Sequence, residues 1–361
     1  MTEKSISYLI GLVNELRKLP GETECLDRTP YESQIALEHQ DALQVMKLLN
    51  YAVYFDLLEL PLPDGHVSIL EVLKNDELIT LCPAGGYNIT NLGAILFARN
   101  LEDFPKLKRK AMRVILYKGR GRVQTQKEYV ENKGYASGFD GLIKYVMALV
   151  PANEVIEHVF RRTNWMYPEP AIRELIANAL IHQDFFETGT GPMIELFDDR
   201  IEITNPGEPL VAVNRFLDTP PKSRNEKIAS LMRRFKICEE RGSGIDKVVI
   251  QTELFQLPPP LFEVPTGFTR TVLFGHKPLE DMNKEDRLRA CYLHACLRYV
   301  LRQNMTNKSL RDRFGLDESK SGQISRIINV ALKTGLIKKI SLSDSRRDSA
   351  YIPFWSSSRQ E

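Results

Sequence analysis

Tyr167-Pro-Glu-Pro-Ala-Ile-Arg-Glu-Leu-Ile-Ala-Asn-Ala-Leu-Ile-His-Gln-Asp184 is the most informative stretch of this 361-residue chain. Pro168 and Pro170 suit a helix entrance, because the first helical turn leaves its N–H groups unpaired anyway. Glu174 and Asn178 are four residues apart and therefore lie on one face of the helix that follows. A carboxylate one turn before an amide can supply a water-activating base beside an oxygen ligand for Mg²⁺. Such pairs also occur on many exposed helices, so the surrounding sequence has to support the interpretation.

Strands and glycine-containing turns follow this helix. A polar residue at a strand end, followed by glycine, lets the backbone approach a purine edge closely, and Asn205-Pro-Gly207 has this pattern. Arg241-Gly-Ser-Gly-Ile-Asp246 opens another helix, where bare glycine N–H groups and the helix dipole favour a phosphate. The predicted strands of this region are Pro192–Phe197, Ile201–Thr204, Leu261–Val264 and Thr269–Phe274.

Three of these motifs, in this order and spacing, resemble the N-box, G1-box and G2-box of the GHKL ATPase fold. They are Glu174-Leu-Ile-Ala-Asn178, Asn205-Pro-Gly207 and Gly242-Ser-Gly-Ile245. With their flanking residues they look more closely like the RecG-like family of transcriptional regulators, over most of residues 30–355. Members of that family combine a Schlafen/AlbA-type domain, a GHKL-like ATP-binding domain and a winged-helix tail.

The resemblance implies an α+β protein, in which a GHKL-like (Bergerat-type) α/β sandwich is flanked by winged-helix modules. It also implies ATP and Mg²⁺ as cofactors, with a lid at residues 208–241 that closes over the phosphates. It assigns Glu174 as the water-activating base and Asn178 as a ligand of Mg²⁺ and nucleotide. It places Asn205 and Gly207 at the adenine, and Gly242 and Gly244 at the phosphates.

The chain departs from these families in three places. Leu19-Pro-Gly-Glu-Thr-Glu24 is joined by Cys25 to a segment that resembles the far side of the AlbA-type domain, so that domain is missing. The G1-box of GHKL proteins begins with Asp, whereas Asn205 offers an uncharged amide oxygen. The acidic residue that often follows the N-box Asn by three positions is Ile181 here, with Asp184 further along. These departures favour nucleotide binding over turnover.

Charge divides the chain unevenly. Residues 1–99 contain 7 basic and 14 acidic residues, whereas residues 277–361 contain 17 basic and 10 acidic residues, so only the tail suits a polyanion. Five parts of the chain are expected. Residues 1–25 form an N-terminal helix, the remnant before the missing domain, and residues 26–99 form a winged-helix-like structural or dimerising module. The ATP-binding domain spans 100–276, a winged helix-turn-helix domain spans 277–355, and a short tail spans 356–361.

The tail has the element order of a winged helix. Helices at Lys284–Gln303, from Thr306 to Phe314 and at Ser319–Lys333 precede strands at Leu336–Leu342 and Tyr351–Phe354. On the third helix, basic and polar side chains suit phosphates and base edges, and two arginines lie at the wing tip. The predicted DNA-binding residues are Lys320, Gln323, Arg326, Arg346 and Arg347, with Ser325 beside them. Dimerisation is the alternative use of this module.

Several other residues leave alternatives open. His182 suits catalysis or phosphate binding as well as helix capping or packing. The basic run Lys106–Lys127 suits a nucleic-acid patch or a solvated strand edge and loop. Cys291, His294 and Cys296 lie within one helix without a second ligand pair at zinc spacing, which predicts buried helix residues.

Composition narrows the class of protein. The chain has no apolar run long enough for a membrane span, no signal peptide and only five scattered cysteines, which predicts a reduced, cytoplasmic, soluble protein. A Gly-x-x-x-x-Gly-Lys-Ser/Thr loop is absent, which argues against a helicase. The sequence therefore predicts an ATP-responsive, DNA-binding regulator, with a homodimer possible. The alternatives are a scaffold with a degenerate ATP-binding domain and an ATPase effector that needs the missing domain.

Overall fold

A computed structural model describes residues 29–157, 160–238, 244–340 and 349–356, with the strands at 152–165 described as backbone only. Some sequence-based expectations lie outside the described residues. They include the N-terminal helix, Gly242, Arg346, Arg347 and the tail beyond residue 356.

The N-terminal part has a three-stranded antiparallel sheet and four helices. Its elements are β1 (Ile35–Gln40), α1 (Ala42–Leu48), α2 (Tyr51–Leu57), α3 (His66–Asn75), β2 (Ile79–Leu81), β3 (Tyr87–Thr90) and α4 (Asn91–Phe97). The central strand β3 of this sheet pairs with both β1 and β2. Side-chain caps from Asp41 and Thr90 begin α1 and α4, because each accepts a hydrogen bond from a backbone N–H that the helix leaves unpaired.

The central part supplies the large sheet. Its elements are β4 (Met112–Tyr117), β5 (Thr125–Glu131), α5 (Tyr135–Leu149), β6 (Ala152–Glu157), β7 (Phe160–Trp165), α6 (Glu169–His182), β8 (Met193–Leu196), β9 (Arg200–Pro206), α7 (Glu226–Arg234), α8 (Gly244–Leu254), β10 (Leu261–Glu263) and β11 (Phe268–Phe274). Six strands form one mixed sheet in the order β10-β11-β9-β8-β4-β5. Only β4 and β8 run parallel. β6 and β7 form a separate antiparallel pair.

Helix α6 lies over this sheet and contacts both β9 and α8. Ile172 and Ile176 are fully buried on it, as the four-residue spacing of one helix face requires. One continuous hydrophobic core joins the N-terminal and central parts, and the rings of Phe97 and Phe235 lie 5.4 Å apart within it. The helix that carries Glu174 is therefore fixed by a large core, as a binding site requires.

The C-terminal part has a hydrophobic cluster of its own. Its elements are α9 (Lys284–Val300), α10 (Asn307–Arg313), α11 (Ser321–Lys333), β12 (Ile337–Ile340) and β13 (Ala350–Pro353). Thr306, where the sequence predicted a helix to begin, caps α10 and forms a capping box with Ser309. Three helices followed by a two-stranded hairpin are thus present in the predicted order.

Three arginines of the basic run Lys106–Lys127 form ion pairs on the sheet, namely Arg113, Arg120 and Arg122. Arg113 pairs with Glu128 at 2.7 Å, and Arg122 binds the buried carboxylates of Glu195 and Glu202 at 2.6 and 2.7 Å. These contacts favour the strand-edge interpretation over a nucleic-acid patch. Within the described ranges, no helix has the length and apolar character needed to cross a bilayer.

Candidate nucleotide site

A cavity of about 230 Å³ lies between α6, the ends of β9 and β11, the start of α8 and the segment after β9. Glu174, Asn178 and His182 line it at four-residue intervals along one face of α6. Asn205 lines it from β9, and Thr269 lines it from the neighbouring strand. The cavity therefore joins residues that are far apart in the sequence.

Glu174 is in contact with the first residue of α8. Its side chain is buried, and a Cβ added to Gly244 would lie 1.8 Å from Glu174 Oε1 and 2.5 Å from its carboxyl carbon. No other amino acid fits at position 244 without moving the carboxylate. By the family resemblance, Glu174 belongs to the N-box and Gly244 to the G2-box, and the fold brings these two motifs into contact.

Asn178 lies one turn further along α6 and is half-buried. Among the described residues its amide has no hydrogen-bond partner, although it lines the cavity. Its oxygen and the carboxylate of Glu174 are hard donors, which Mg²⁺ prefers. The donor set therefore fits a nucleotide-bound Mg²⁺.

Asn205 is buried at the end of β9. Its amide nitrogen donates a hydrogen bond to the carbonyl oxygen of Pro206 at 3.0 Å. With the nitrogen held in this way, the amide oxygen is the acceptor that Asn205 can offer to the cavity. An acceptor suits the amino group of adenine, as the predicted contact requires.

Gly207 shapes the turn after β9 and does not line the cavity. Its φ is +96°, and a Cβ there would lie 2.6 Å from Arg224 Nη1 and 2.9 Å from Asp184 Cβ. Its carbonyl oxygen accepts a hydrogen bond from the Thr269 hydroxyl at 2.7 Å. Glycine is needed here because the backbone is left-handed and the neighbouring side chains pack closely. Gly207 therefore shapes the turn, whereas Asn205 faces the cavity.

His182 lines the cavity at the last residue of α6. Burial, with the nearby positive charge of Arg224, lowers the pKa of His182 to about 4. The imidazole is therefore neutral at physiological pH, so His182 does not offer a positive charge to a phosphate group. Arg224 itself donates to the carbonyl oxygens of His182 and Glu208 at 3.1 Å, so it braces the end of α6.

The predicted lid at residues 208–241 is not one mobile segment. Helix α7 occupies its second half and was not predicted, although Ile228, Leu231 and Met232 repeat at helical spacing. The carboxylate of Glu32 accepts hydrogen bonds from the N–H groups of Lys227 and Ile228 at 2.9 and 3.1 Å, which caps α7. Among the described residues of this range, the part before α7 remains as a candidate lid.

Three of the predicted DNA-binding residues lie at or just before the start of α11. Lys320 and Arg326 are exposed, and Gln323 is half-buried. Ser325, in contrast, accepts a hydrogen bond from the Asn307 amide at 2.9 Å, so its hydroxyl is used within the module.

The cysteines and histidine of α9 are buried, as the sequence predicted. Burial raises the pKa of Cys291 and of Cys296 to about 12. His294 has Glu253 at 2.9 Å from Nδ1 and Ser309 at 3.0 Å from Nε2. These contacts join α9 to α8 and α10.

Comparison with known proteins relates the second half of the central part to a protein family. Residues 189–273 match the family model described as "Putative ATP-dependent DNA helicase recG C-terminal". The chain contains an ATPase-like domain. The match covers β8 to β11 and includes Asn205 and Gly244, whereas Glu174 and Asn178 precede it. It supports the expected RecG-like family with an ATPase-like domain.

A solved structure supports the fold over most of the chain. The DIP2311 protein from Corynebacterium diphtheriae is similar with a TM-score of 0.54 and 17% identity, covering 91% of this chain. This chain spans 65% of the length of that protein. No curated protein matches the sequence. The similar structure supports the mixed α+β fold, and the family match indicates an ATPase-like domain family.

Proposed function

We propose that the protein binds ATP with Mg²⁺ in this cavity and that the bound nucleotide controls a DNA-binding C-terminal module. The observation that carries the proposal is the cavity itself. It gathers Glu174, Asn178 and Asn205 beside Gly244, within and next to the ATPase-like region. These are the residues that three separate motifs predicted for base, metal, adenine and phosphate.

Each side chain has a defined task in this proposal. Asn205 accepts from the adenine amino group through its amide oxygen, and Asn178 provides an oxygen ligand for the metal. Mg²⁺, when bound with ATP, neutralises part of the phosphate charge. Glu174 orients and deprotonates a water molecule if the nucleotide is hydrolysed. Binding alone is sufficient for a regulator, so hydrolysis is not required.

The segment before α7 gives a direct route from the cavity to the C-terminal part. Phe216 lines the cavity, where its ring contacts Phe262 at a centroid distance of 5.2 Å. The residues beside it face the other way, since Leu217 packs in a cluster with α9. Tyr292 donates from its hydroxyl to the Asn214 carbonyl oxygen at 2.5 Å. A ligand that moves Phe216 therefore moves the contacts of α9.

A second connection runs along α8. Its first residue, Gly244, contacts Glu174 at the cavity, and near its other end Glu253 binds His294 on α9. Just beyond α8, the carbonyl oxygen of Leu257 accepts a hydrogen bond at 2.7 Å from the buried guanidinium of Arg313. Helix α8 contacts both the cavity and the C-terminal part, so a shift of this helix on nucleotide binding would be transmitted to the C-terminal part.

The basic tail supports DNA as the partner of the C-terminal module. Lys320 and Arg326 are exposed at the N-terminal half of α11, where a winged helix contacts the major groove. The same face also suits a homodimer, which would compete with DNA. Asn205, in place of the charged Asp of GHKL proteins, favours the second candidate, a scaffold whose ATP-binding domain has degenerated.

Calorimetric titration of the whole protein with ATP and a non-hydrolysable analogue, with and without Mg²⁺, tests the proposal. ATP·Mg²⁺ should also raise the melting temperature, since a ligand at 100 times its dissociation constant adds about 2.7 kcal/mol. Asn178→Ala should remove this effect without unfolding the protein, because Asn178 lies at the cavity and makes no internal hydrogen bond among the described residues. No binding at millimolar ATP would favour the scaffold.

A further inference from the structure

Arg233 is a cationic side chain of the cavity that none of the recognised motifs includes. It lines the cavity together with Ala229, one turn earlier on α7. The residue is exposed, and its guanidinium forms no ion pair or hydrogen bond with any part of the chain that the structure describes. An arginine that faces a cavity without an acidic partner is available to an anionic ligand.

The other cations of the cavity are placed differently. Arg224 donates hydrogen bonds to two carbonyl oxygens, and its guanidinium lies 3.7 Å from the carboxylate of Asp184. Lys222 is exposed in the irregular segment before α7. Arg233 alone among these three belongs to a helix.

That helix is held firmly by the N-terminal part. The carboxylate of Glu32 caps its first turn, and Arg234 in its last turn binds Asp76 and Tyr54. Phe235 follows directly and is buried against the rings of Phe97 and Tyr54. The direction in which α7 presents Arg233 is therefore set by the core. A planar guanidinium on a rigid element can bind phosphate through two parallel hydrogen bonds.

We infer that Arg233 binds the terminal phosphates of the nucleotide and makes the cavity selective for ATP and ADP over AMP. The inference rests on the proposed function, because it assigns a residue to the phosphate part of that same ligand. It also links the N-terminal part to the nucleotide, since α7 is anchored there.

The experiment compares the affinities of ATP, ADP, AMP and adenosine for the whole protein and for Arg233→Ala at constant Mg²⁺. We expect Arg233→Ala to weaken ATP binding by about tenfold or more, as for loss of a charge-assisted hydrogen bond, and to leave adenosine and AMP within about twofold. Arg233→Lys should retain part of the ATP affinity, because the charge remains while the fork is lost.

Lys236→Ala is the matched control. It removes the same charge two residues beyond α7, from an exposed ion pair with Glu59 at 2.7 Å, and should leave all four affinities unchanged. The inference is wrong, while the proposed function stands, if the parent binds ATP and Arg233→Ala weakens the affinities for ATP and AMP equally. The same holds if Arg233→Ala changes neither affinity. If the parent binds none of the four, the proposed function fails and the inference fails with it.

Discussion

The carboxylate of Glu174 lies against the Cα of Gly244, so close that a methyl group at position 244 would overlap Oε1. The contact joins the helix that carries the candidate base to the helix whose start is the candidate phosphate site. Since any side chain at position 244 would displace Glu174, the two residues form one unit of the site.

Gly244→Ala should therefore lower the stability of the protein by about 1–3 kcal/mol, because overpacking forces Glu174 from its position. The same substitution in a Glu174→Ala background should cost much less, because the overlapping atoms are absent. A double-mutant cycle by chemical denaturation measures the difference. Additive effects of the two substitutions would contradict the contact.

Glu174→Gln keeps the size of the side chain and removes the base. If the protein hydrolyses ATP, the rate should fall by about 10²-fold or more while ATP affinity holds. Phosphate release and calorimetric titration of the same preparations provide the two measurements. An unchanged rate would show that Glu174 does not act as the base, or that the activity belongs to a contaminant.

Two half-buried groups should shape the pH dependence of stability in opposite directions. The pKa of His182 is lowered to about 4 by burial and Arg224, so on acidification the unfolded chain takes up a proton first and stability falls. Burial raises the pKa of Asp246 to about 6, so there the folded protein takes up the proton first and stability rises on acidification.

His182→Gln should therefore lose less stability than the parent between about pH 7 and pH 4.5, and Asp246→Asn should lose more. Denaturant titration at several pH values measures both effects. Asp246→Asn should also be more stable than the parent near neutral pH, because an ionised carboxylate is no longer buried. Parallel pH profiles for the three proteins would contradict both assignments.

DNA binding is tested with the whole protein and duplex DNA at several salt concentrations. Lys320→Ala and Arg326→Ala together should weaken binding and reduce the slope of log affinity against log salt by about one unit per lost phosphate contact. Gln323→Ala should weaken some sequences selectively, since a base contact carries sequence information. Lys47→Ala, an exposed lysine on α1, is the control and should change neither quantity. Loss of dimerisation instead of DNA affinity would make α11 an interface between copies of the chain.

Local patterns allowed much of the architecture to be predicted. The spacing of Glu174 and Asn178 indicated a helix with both side chains on one face, and Thr306 indicated the start of α10. Such features depend on residues a few positions apart, whose geometry the helix itself imposes. The sequence by itself thus determined the main helices, the strands around Asn205 and an α+β protein with an ATPase-like domain.

Contacts between distant segments were decided by the tertiary structure. The sequence placed Gly207 among the ligand-binding residues, whereas packing against Arg224 and Asp184 gives it a role in the turn. Residues 208–241 looked like one polar lid, because the apolar face of α7 is short and its cap, Glu32, lies far away in the chain. The orientation of Arg233 and the contact between Glu174 and Gly244 depend on how α6, α7 and α8 pack. No local rule gives that packing, because it follows from a core built by the whole chain.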